Sequence, residues 1–277
     1  MPVHIILLML FMATLSASWN AMIKGAGDKL YTTILMTGGT GLVSALLLPF
    51  VPAPALASWP FILTTAVLSV AYYAGVARTY RLADLSQTYP LMRGGAPLLV
   101  AMTSWAVIGD HLKPGAWLGV ALICTGILGL AGTAAGRNAR GTGLALVNAG
   151  VVAAYTLVDG LGVRRSGSPV GYGLWVNLLT GAPLTAWALL REREGFWPYA
   201  ARRPWQGLLA GSMSTAIYST TLWAMTLAPV AVVAALRETS ILFALVISAV
   251  VLKEPVGGRR LALACAIAGG VMALRLA

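Results

Sequence analysis

Two arginines lie deep inside apolar segments of this 277-residue chain, and they carry the most specific chemistry in the sequence. Arg93 follows Asp84 by nine residues and Arg237 follows Pro229 by eight, so each lies about 12–13 Å along a helix from its segment end. If the segments cross a membrane, such a charge costs about 2.5–3.5 kcal/mol on insertion scales and marks a functional site by default. Because a guanidinium matches a carboxylate bidentately, the two arginines predict a clamp for a substrate carboxylate.

A structural explanation of the same two arginines is also open. Glu238 is next to Arg237 in the chain, and Pro90 frees backbone carbonyls close to Arg93. Neighbouring residues on a helix point about 100° apart, so Glu238 is expected to serve another partner, with Arg93 as the candidate. In this interpretation the arginines stabilise the fold and bind no substrate.

Aromatic and amide side chains inside the apolar segments complete the predicted site. Aromatic walls with few charges suit neutral or zwitterionic amphipathic solutes, whereas sugar phosphates and polyanions would need more Lys and Arg at depth. The predicted substrate-binding residues are Asn20, Tyr73, Tyr89, Arg93, Tyr155, Trp175, Tyr218, Arg237 and Glu238.

The segment that holds Arg93 also carries helix-distorting residues. Pro90 and Pro97 remove backbone hydrogen bonds and are expected to kink the helix, and Gly94 and Gly95 lie between them. This segment is therefore the predicted hinge of the molecule.

A further acid, Asp159, precedes Arg164 and Arg165 by five and six residues near the end of its segment. The spacing predicts an ion pair across the helix end, with a functional role for Asp159 as the alternative.

The elements that position these residues follow from composition. Hydrophobic residues make up 58% of the chain, charged residues 10%, and mean hydropathy is +0.82, whereas globular domains carry about 25% charged residues. This excludes an ordinary soluble protein. Ten apolar segments long enough to cross a membrane are predicted at 3–23, 30–51, 59–77, 85–108, 114–132, 142–163, 169–190, 205–227, 230–252 and 256–275.

The distribution of Lys and Arg predicts how the chain is oriented in the membrane. The net charge is +11, but the 19 Lys and Arg are scattered between apolar segments, which excludes nucleic-acid binding. Thirteen of them lie on one side of the predicted membrane and four on the other, with Arg93 and Arg237 inside segments. By the positive-inside rule both termini are predicted to be periplasmic, in a bacterial inner membrane. The two cysteines and two histidines show no metal-ligand spacing, so no metal and no cofactor is expected.

The two halves of the sequence resemble each other. Residues 73–83 resemble 218–228 at an offset of 145, and an offset of 144 pairs Arg93 with Arg237, Asp110 with Glu254 and Gly126 with Gly270. Five segments separate equivalent positions, and because five is odd, the halves must insert in opposite orientations. The predicted repeats are residues 1–135 and 136–277, with the substrate site near the membrane midplane between them.

Three motifs resemble a known family. The first segment ends in S-x-S-W-N-x-x-x-K (Ser16 to Lys24), and each half closes with an acid after an apolar helix (IGDHLKPGAWLG, LKEPVGGRRLA) and a Gly-rich last helix (CTGILG, AIAGGV). The chain resembles the EamA-like, ten-helix branch of the drug/metabolite transporter superfamily, to which the YddG-type amino-acid exporters belong. The resemblance implies an all-α integral membrane protein with two inverted five-helix repeats around a central cavity.

The same resemblance implies export of small metabolites by alternating access. The chain departs from the four-helix multidrug relatives because its first segment has no glutamate, so transport without an obligatory proton is expected. The alternatives are proton-coupled drug or metabolite efflux and, in a different class, a membrane-embedded lipid-modifying enzyme, whose intramembrane acid and histidine constellations are missing from the sequence. The expected partners are an amino acid or similar small molecule and membrane lipid; a monomer is compatible with the sequence, which leaves the oligomeric state open.

Overall fold

The computed structural model describes residues 3–24, 28–82, 85–108, 112–130, 139–250 and 257–276, and the regular elements in these ranges are all helical. Short 3₁₀ turns follow α2 at Leu48–Phe50 and precede α3 at Leu56–Ser58, and a π-helical turn, Ser104–Ile108, extends α4. The α-helices are α1 (Val3–Lys24), α2 (Lys29–Leu47), α3 (Trp59–Leu82), α4 (Leu85–Thr103), α5 (Pro114–Leu130), α6 (Ala139–Arg164), α7 (Pro169–Arg191), α8 (Arg193–Ala201), α9 (Pro204–Leu227), α10 (Val230–Glu238), α11 (Ser240–Val250) and α12 (Gly258–Leu276).

Helices overlap all ten predicted segments, with two differences. The connection after α7, where no membrane-crossing segment is predicted, contains the short helix α8, in which Phe196 is buried against Ile34 and Ala188. The segment predicted at 230–252 is not one helix: it breaks at Thr239 into α10 and α11. By length and hydropathy alone, four helices of the described part could each cross a membrane, so the count of ten spans stays a prediction.

The chain packs as two compact units. The first unit is Met1–Ala17, Ala71–Leu157 and Leu227–Ala277, and the second unit is Ser18–Val70 and Val158–Thr226. Each unit takes segments from both predicted repeats, so spatial packing and sequence repeat divide the chain differently. The repeat boundaries 1–135 and 136–277 remain a prediction from the sequence.

Small residues set the packing of α5 against α12 in the first unit. A Cβ on Gly119 would lie 2.9 Å from the carbonyl oxygen of Gly270, and a Cβ on Gly270 would lie 2.8 Å from that of Gly119. Both spacings are too short for a real methyl group, so the two backbones are in direct contact. Close approach through small residues is the usual means of holding helices together where lipid removes the hydrophobic driving force.

The second unit uses the same device between α2 and its neighbours. Gly181 of α7 packs against the backbone of Thr37. Gly39 packs against the backbone of Gly207 in α9, and Gly211 packs against the backbone of Gly39. Helix α2 therefore lies in main-chain contact with both α7 and α9.

Candidate functional site

Arg93 and Arg237 converge on one carboxylate in the first unit. Arg93 Nε lies 2.7 Å from Glu238 Oε2, and Arg237 Nε donates to Glu238 Oε1 at 3.2 Å. The Glu238 side chain is 1% exposed and each arginine side chain is 13% exposed. Each oxygen of the buried acid thus faces a different guanidinium.

The end of a helix makes this arrangement possible. Helix α10 stops at Glu238, and Thr239 closes it by donating its backbone N–H and its hydroxyl to the carbonyl of Leu236 at 3.2 and 2.6 Å. The chain turns at Thr239 and α11 begins at Ser240. Adjacent side chains in a regular helix diverge, but at this last turn Arg237 folds back onto Glu238. The contact between Arg237 and the neighbouring Glu238 belongs to the structural alternative that regular helical geometry disfavours, and the helix end allows it. The suggested pair of Arg93 with Glu238 is also present.

Two predicted aromatic residues lie beside this cluster. Tyr73 lies close to Tyr155 and Arg93, and Tyr155 also lies close to Arg237. The rings of Tyr72 and Tyr73 meet edge to face at 5.3 Å between centroids, and those of Tyr72 and Tyr155 at 6.1 Å. Tyr72 is not among the predicted site residues, but its ring links the two predicted tyrosines, Tyr73 and Tyr155.

The remaining predicted residues lie elsewhere or outside the described side chains. Trp175 belongs to the second unit, where its ring stands 5.0 Å from that of Trp59. Tyr218, also in the second unit, donates to Asp159 Oδ2 at 2.8 Å. The side chains of Asn20 and Tyr89 lie outside the described residues.

The predicted hinge is helical in the structure. Helix α4 continues from Leu85 to Thr103 through all four predicted hinge residues, although the side chain of Pro90 lies outside the described residues. A Cβ on Gly94 would lie 2.9 Å from Ile127 of α5, so this glycine is a packing position. A Cβ on Gly95 would only touch Ala149, at 3.5 Å. Bending at Pro90 and Pro97 stays a prediction.

Asp159 forms a second buried polar cluster, which the sequence did not predict. Asp159 is 2% exposed; Thr65 donates to its Oδ1 at 2.7 Å, Tyr172 to the same oxygen at 3.2 Å and Tyr218 to Oδ2 at 2.8 Å. The donors come from α3, α7 and α9, so one carboxylate ties three helices to α6.

Arg164 and Arg165 have contacts of their own in the described part of the chain, and their ion pair with Asp159 stays a prediction. Arg164 Nε donates to the backbone carbonyl of Met225 at 3.0 Å, and the Arg165 guanidinium lies 4.9 Å from the centre of the Phe61 ring. The prediction for Asp159 used only the spacing of residues within one helix. Spacing within a helix does not show which hydroxyl groups tertiary packing brings to the acid from other helices.

Replacing Asp159 with asparagine is expected to lower the free energy of unfolding by about 1–3 kcal/mol, because an amide nitrogen cannot accept a hydroxyl hydrogen bond and leaves a buried donor unsatisfied. Thermal melting in detergent measures the loss. Glu192→Gln is the matched control, since Glu192 is only partly buried and accepts from Tyr31 at 3.1 Å. Equal melting temperatures for the two variants would contradict the structural importance of the Asp159 cluster.

Comparison with known proteins gives a family match for part of the chain and a similar fold for nearly all of it. Residues 139–276 match the family model of the EamA-like transporter family. A solved crystal structure is similar to this chain with a TM-score of 0.75 at 22% identity, covering 97% of this chain and 96% of its own. No curated protein sequence matches significantly.

Proposed function

We propose that this chain, which carries an EamA-like transporter domain of the drug/metabolite transporter superfamily in its second half, exports amino acids or similar small zwitterionic metabolites across a bacterial inner membrane. The family implies a multi-pass membrane transporter that is not an enzyme. Beyond what the family implies, we propose the substrate class, the outward direction of transport and the mechanism. Alternating access is the mechanism, without an obligatory proton, and both termini are periplasmic.

The observation that carries the proposal is the convergence of Arg93 and Arg237 on one carboxylate. Two guanidinia at one point are costly at membrane depth, and among the acids of the described residues Glu238 meets both. A substrate carboxylate would add charge-assisted hydrogen bonds through the planar, two-pronged geometry that arginine favours. Tyr73 and Tyr155 beside the cluster supply aromatic surface for the apolar part of an amino acid.

The contact between α5 and α12 supports the proposed inverted repeat. An offset of 144 makes Gly126 equivalent to Gly270, and Leu263 equivalent to Gly119. The approach of Gly270 to the Gly119 carbonyl, at 2.8 Å from the Cβ position, then has a counterpart in the approach of Gly126 to the Leu263 carbonyl, at 3.0 Å. A contact that maps onto itself in this way is characteristic of two-fold symmetry.

Two isoleucine contacts between α5 and α12 are also equivalent under the offset of 144. Gly126 packs against Ile267, and Gly270 packs against Ile123. The same offset exchanges these two contacts, because Ile123 and Ile267 are equivalent. The repeat therefore has support from packing as well as from the faint sequence match, and it favours a transporter of the inverted-repeat type.

Proton-coupled efflux of drugs or metabolites is the second candidate, and Asp159 favours it. The three hydroxyls that bond to Asp159 can donate or accept, so they suit both the carboxylate and the protonated acid. Glu238 differs, because guanidinia only donate and hold it as the anion. A proton carried by Asp159 would make export energetically coupled.

Flux assays on purified protein in liposomes test the proposal. Each of the twenty amino acids is tested in labelled form. A subset of them is expected to cross the membrane of vesicles that contain the protein, and none is expected to cross protein-free vesicles. Absence of flux for every amino acid, from protein with an intact melting transition, would end the amino-acid proposal. Concentrative uptake driven by a pH gradient alone, and lost in Asp159→Asn, would favour the proton-coupled candidate.

A further inference from the structure

We propose that the short helix α8 and the two helix ends that it joins form a binding surface for the headgroups of anionic phospholipids. The surface lies within the second unit. It consists of Arg191, Arg193, Trp197, Arg202 and Trp205, which together are named the α8 surface. The inference needs the membrane location that the family implies, and it does not depend on the proposed substrate.

Helix α8 has an inner and an outer face. Phe196 is buried in an apolar cluster with residues of α2 and α7, and Ala200 packs against the same cluster. These two residues are four apart and therefore lie on one side of the helix. Trp197 is 60% exposed, and Arg193, four residues before it, is exposed as well. One side of α8 is thus bound to the protein, and the other side faces its surroundings.

Aromatic and polar contacts fix the position of α8. The hydroxyl of Tyr31, in the first turn of α2, donates to Glu192 Oε2 at 3.1 Å, and the Tyr31 ring meets the ring of Phe196 edge to face at 5.9 Å. At the other end of α8, Arg203 Nη1 donates to the hydroxyl of Tyr199 at 2.9 Å, and its guanidinium lies 4.6 Å from the centre of that ring. Because both ends of the helix are held, its outer face is preorganised.

Positive charge exceeds negative charge on the outer side of α8. Three exposed cations lie here: Arg191, Arg193 and Arg202. Among the described acids of this region, Glu194 is exposed, whereas Glu192 and Asp28 are partly buried and accept hydrogen bonds from Tyr31. A guanidinium binds the oxygens of a phosphate group bidentately. The charge of the α8 surface therefore complements a phosphodiester headgroup.

Exposed apolar side chains accompany the arginines and favour a lipid over a soluble anion. Leu190 is 82% exposed, Trp197 60% and Trp205 77%. Each lies within four residues of one of the three exposed arginines. Tryptophan is enriched at the level of the headgroups, and an interfacial helix combines such residues with arginine on its polar side. This combination suits a bilayer surface, because phosphate in solution offers nothing for the apolar side chains.

The charge of the α8 surface sets the size of the expected preference. One arginine near an anionic membrane surface strengthens binding about fivefold. Three exposed arginines and one exposed glutamate leave two net positive charges, which corresponds to a preference of roughly 30-fold for anionic over zwitterionic headgroups.

The first measurement is thermal melting of the purified full-length protein in a non-ionic detergent, with added phosphatidylglycerol, phosphatidylcholine or inorganic phosphate. A ligand that binds the folded protein raises the melting temperature. Phosphatidylglycerol is expected to give half of its maximal rise at a concentration lower than that of phosphatidylcholine by about tenfold or more. Inorganic phosphate at the same concentrations is expected to give no rise. Equal concentrations for the two lipids, or an equal rise with inorganic phosphate, would overturn the proposal.

The second measurement removes the exposed positive charge of the α8 surface. The test variant combines Arg191→Gln, Arg193→Gln and Arg202→Gln. Its preference for phosphatidylglycerol is expected to fall to within about twofold of none, because Glu194 is then the exposed charge of the surface. An unchanged preference in the folded variant would overturn the proposal.

The matched control removes the same charge from the first unit, on the same predicted side of the membrane. It combines substitutions of three exposed arginines: Arg140→Gln, Arg259→Gln and Arg260→Gln. This variant should keep the wild-type preference, and an equal loss in the control would show that net charge alone attracts the lipid and would overturn the assignment to α8. If the test variant does not fold, its three substitutions are made singly. Each is then expected to lower the preference about fivefold, and no change in any of them would overturn the proposal.

Discussion

Replacing Arg237 with glutamine is expected to weaken amino-acid binding by about 30- to several-thousand-fold, the loss of 2–5 kcal/mol typical when one partner of a desolvated charge pair is removed. Arg93→Gln should have an effect of the same size, because both guanidinia meet Glu238. Either variant leaves one guanidinium for Glu238 and none for the substrate carboxylate. Binding of a labelled substrate to purified protein measures the loss.

A purely structural role for the arginines predicts a different result. The variants would then melt at lower temperature, while the affinity of the protein that survives purification would be normal. Melting and binding on the same preparations separate the two outcomes, and normal affinity in a destabilised Arg237→Gln protein would end the clamp hypothesis. Arg259→Gln is the matched control: Arg259 donates to the Gly129 carbonyl at an exposed site, 3.0 Å away.

A valine at position 39 is expected to prevent folding of the second unit. The Cβ of residue 39 would overlap the backbone carbonyl group of Gly207 in α9 and lie 3.4 Å from Gly211 Cα. These obstacles are main-chain atoms and cannot rotate away as a side chain would. The cost is expected to exceed the 1–3 kcal/mol typical of overpacking, so little folded protein should be recovered.

Gly150→Val in α6 is the control for the glycine experiment. It makes the same chemical change in a helix, but among the described residues no atom beyond the neighbouring residues and backbone of its own helix lies within 4 Å of the added Cβ. Its cost should stay within the small loss that a β-branched residue causes in a helix. Size-exclusion profiles and melting in detergent compare the two variants, and a well-folded Gly39→Val protein would show that α2 and α9 do not need their main-chain contact.

The extent of the helices was predictable because long apolar stretches must satisfy their backbone hydrogen bonds internally in lipid. The break at Thr239 was not, since it involves neither proline nor glycine. Its local signal is only Thr239 beside Ser240, two residues whose hydroxyls compete for backbone groups. Helix α8 was also missed, because Phe196 lies in a stretch rich in charged residues and proline and acquires its apolar partners only in the folded chain.

The candidate site was likewise predictable only in part. Intramembrane charge pointed to Arg93, Arg237 and Glu238 because a buried ion has few alternatives to a charged partner. No sequence signal marked the Asp159 cluster, because its members are distant in the chain: Thr65 is 94 residues away from Asp159 and Tyr218 is 59 residues away. Hydroxyl side chains are common in apolar helices, so nothing in their spacing marks the ones that meet an acid.

Under the proposed inverted repeat, joining two related halves in one chain permits an odd number of charges at a symmetric position. The offset of 144 that relates Arg93 to Arg237 relates Gly94 to Glu238. A dimer of identical halves would carry two such glutamates or none, and its pair of arginines would be fully neutralised or left bare. One continuous chain can diverge on one side alone. Under the proposed repeat, a single carboxylate between two equivalent arginines is thus a property that one continuous chain permits and that a dimer of identical halves could not have.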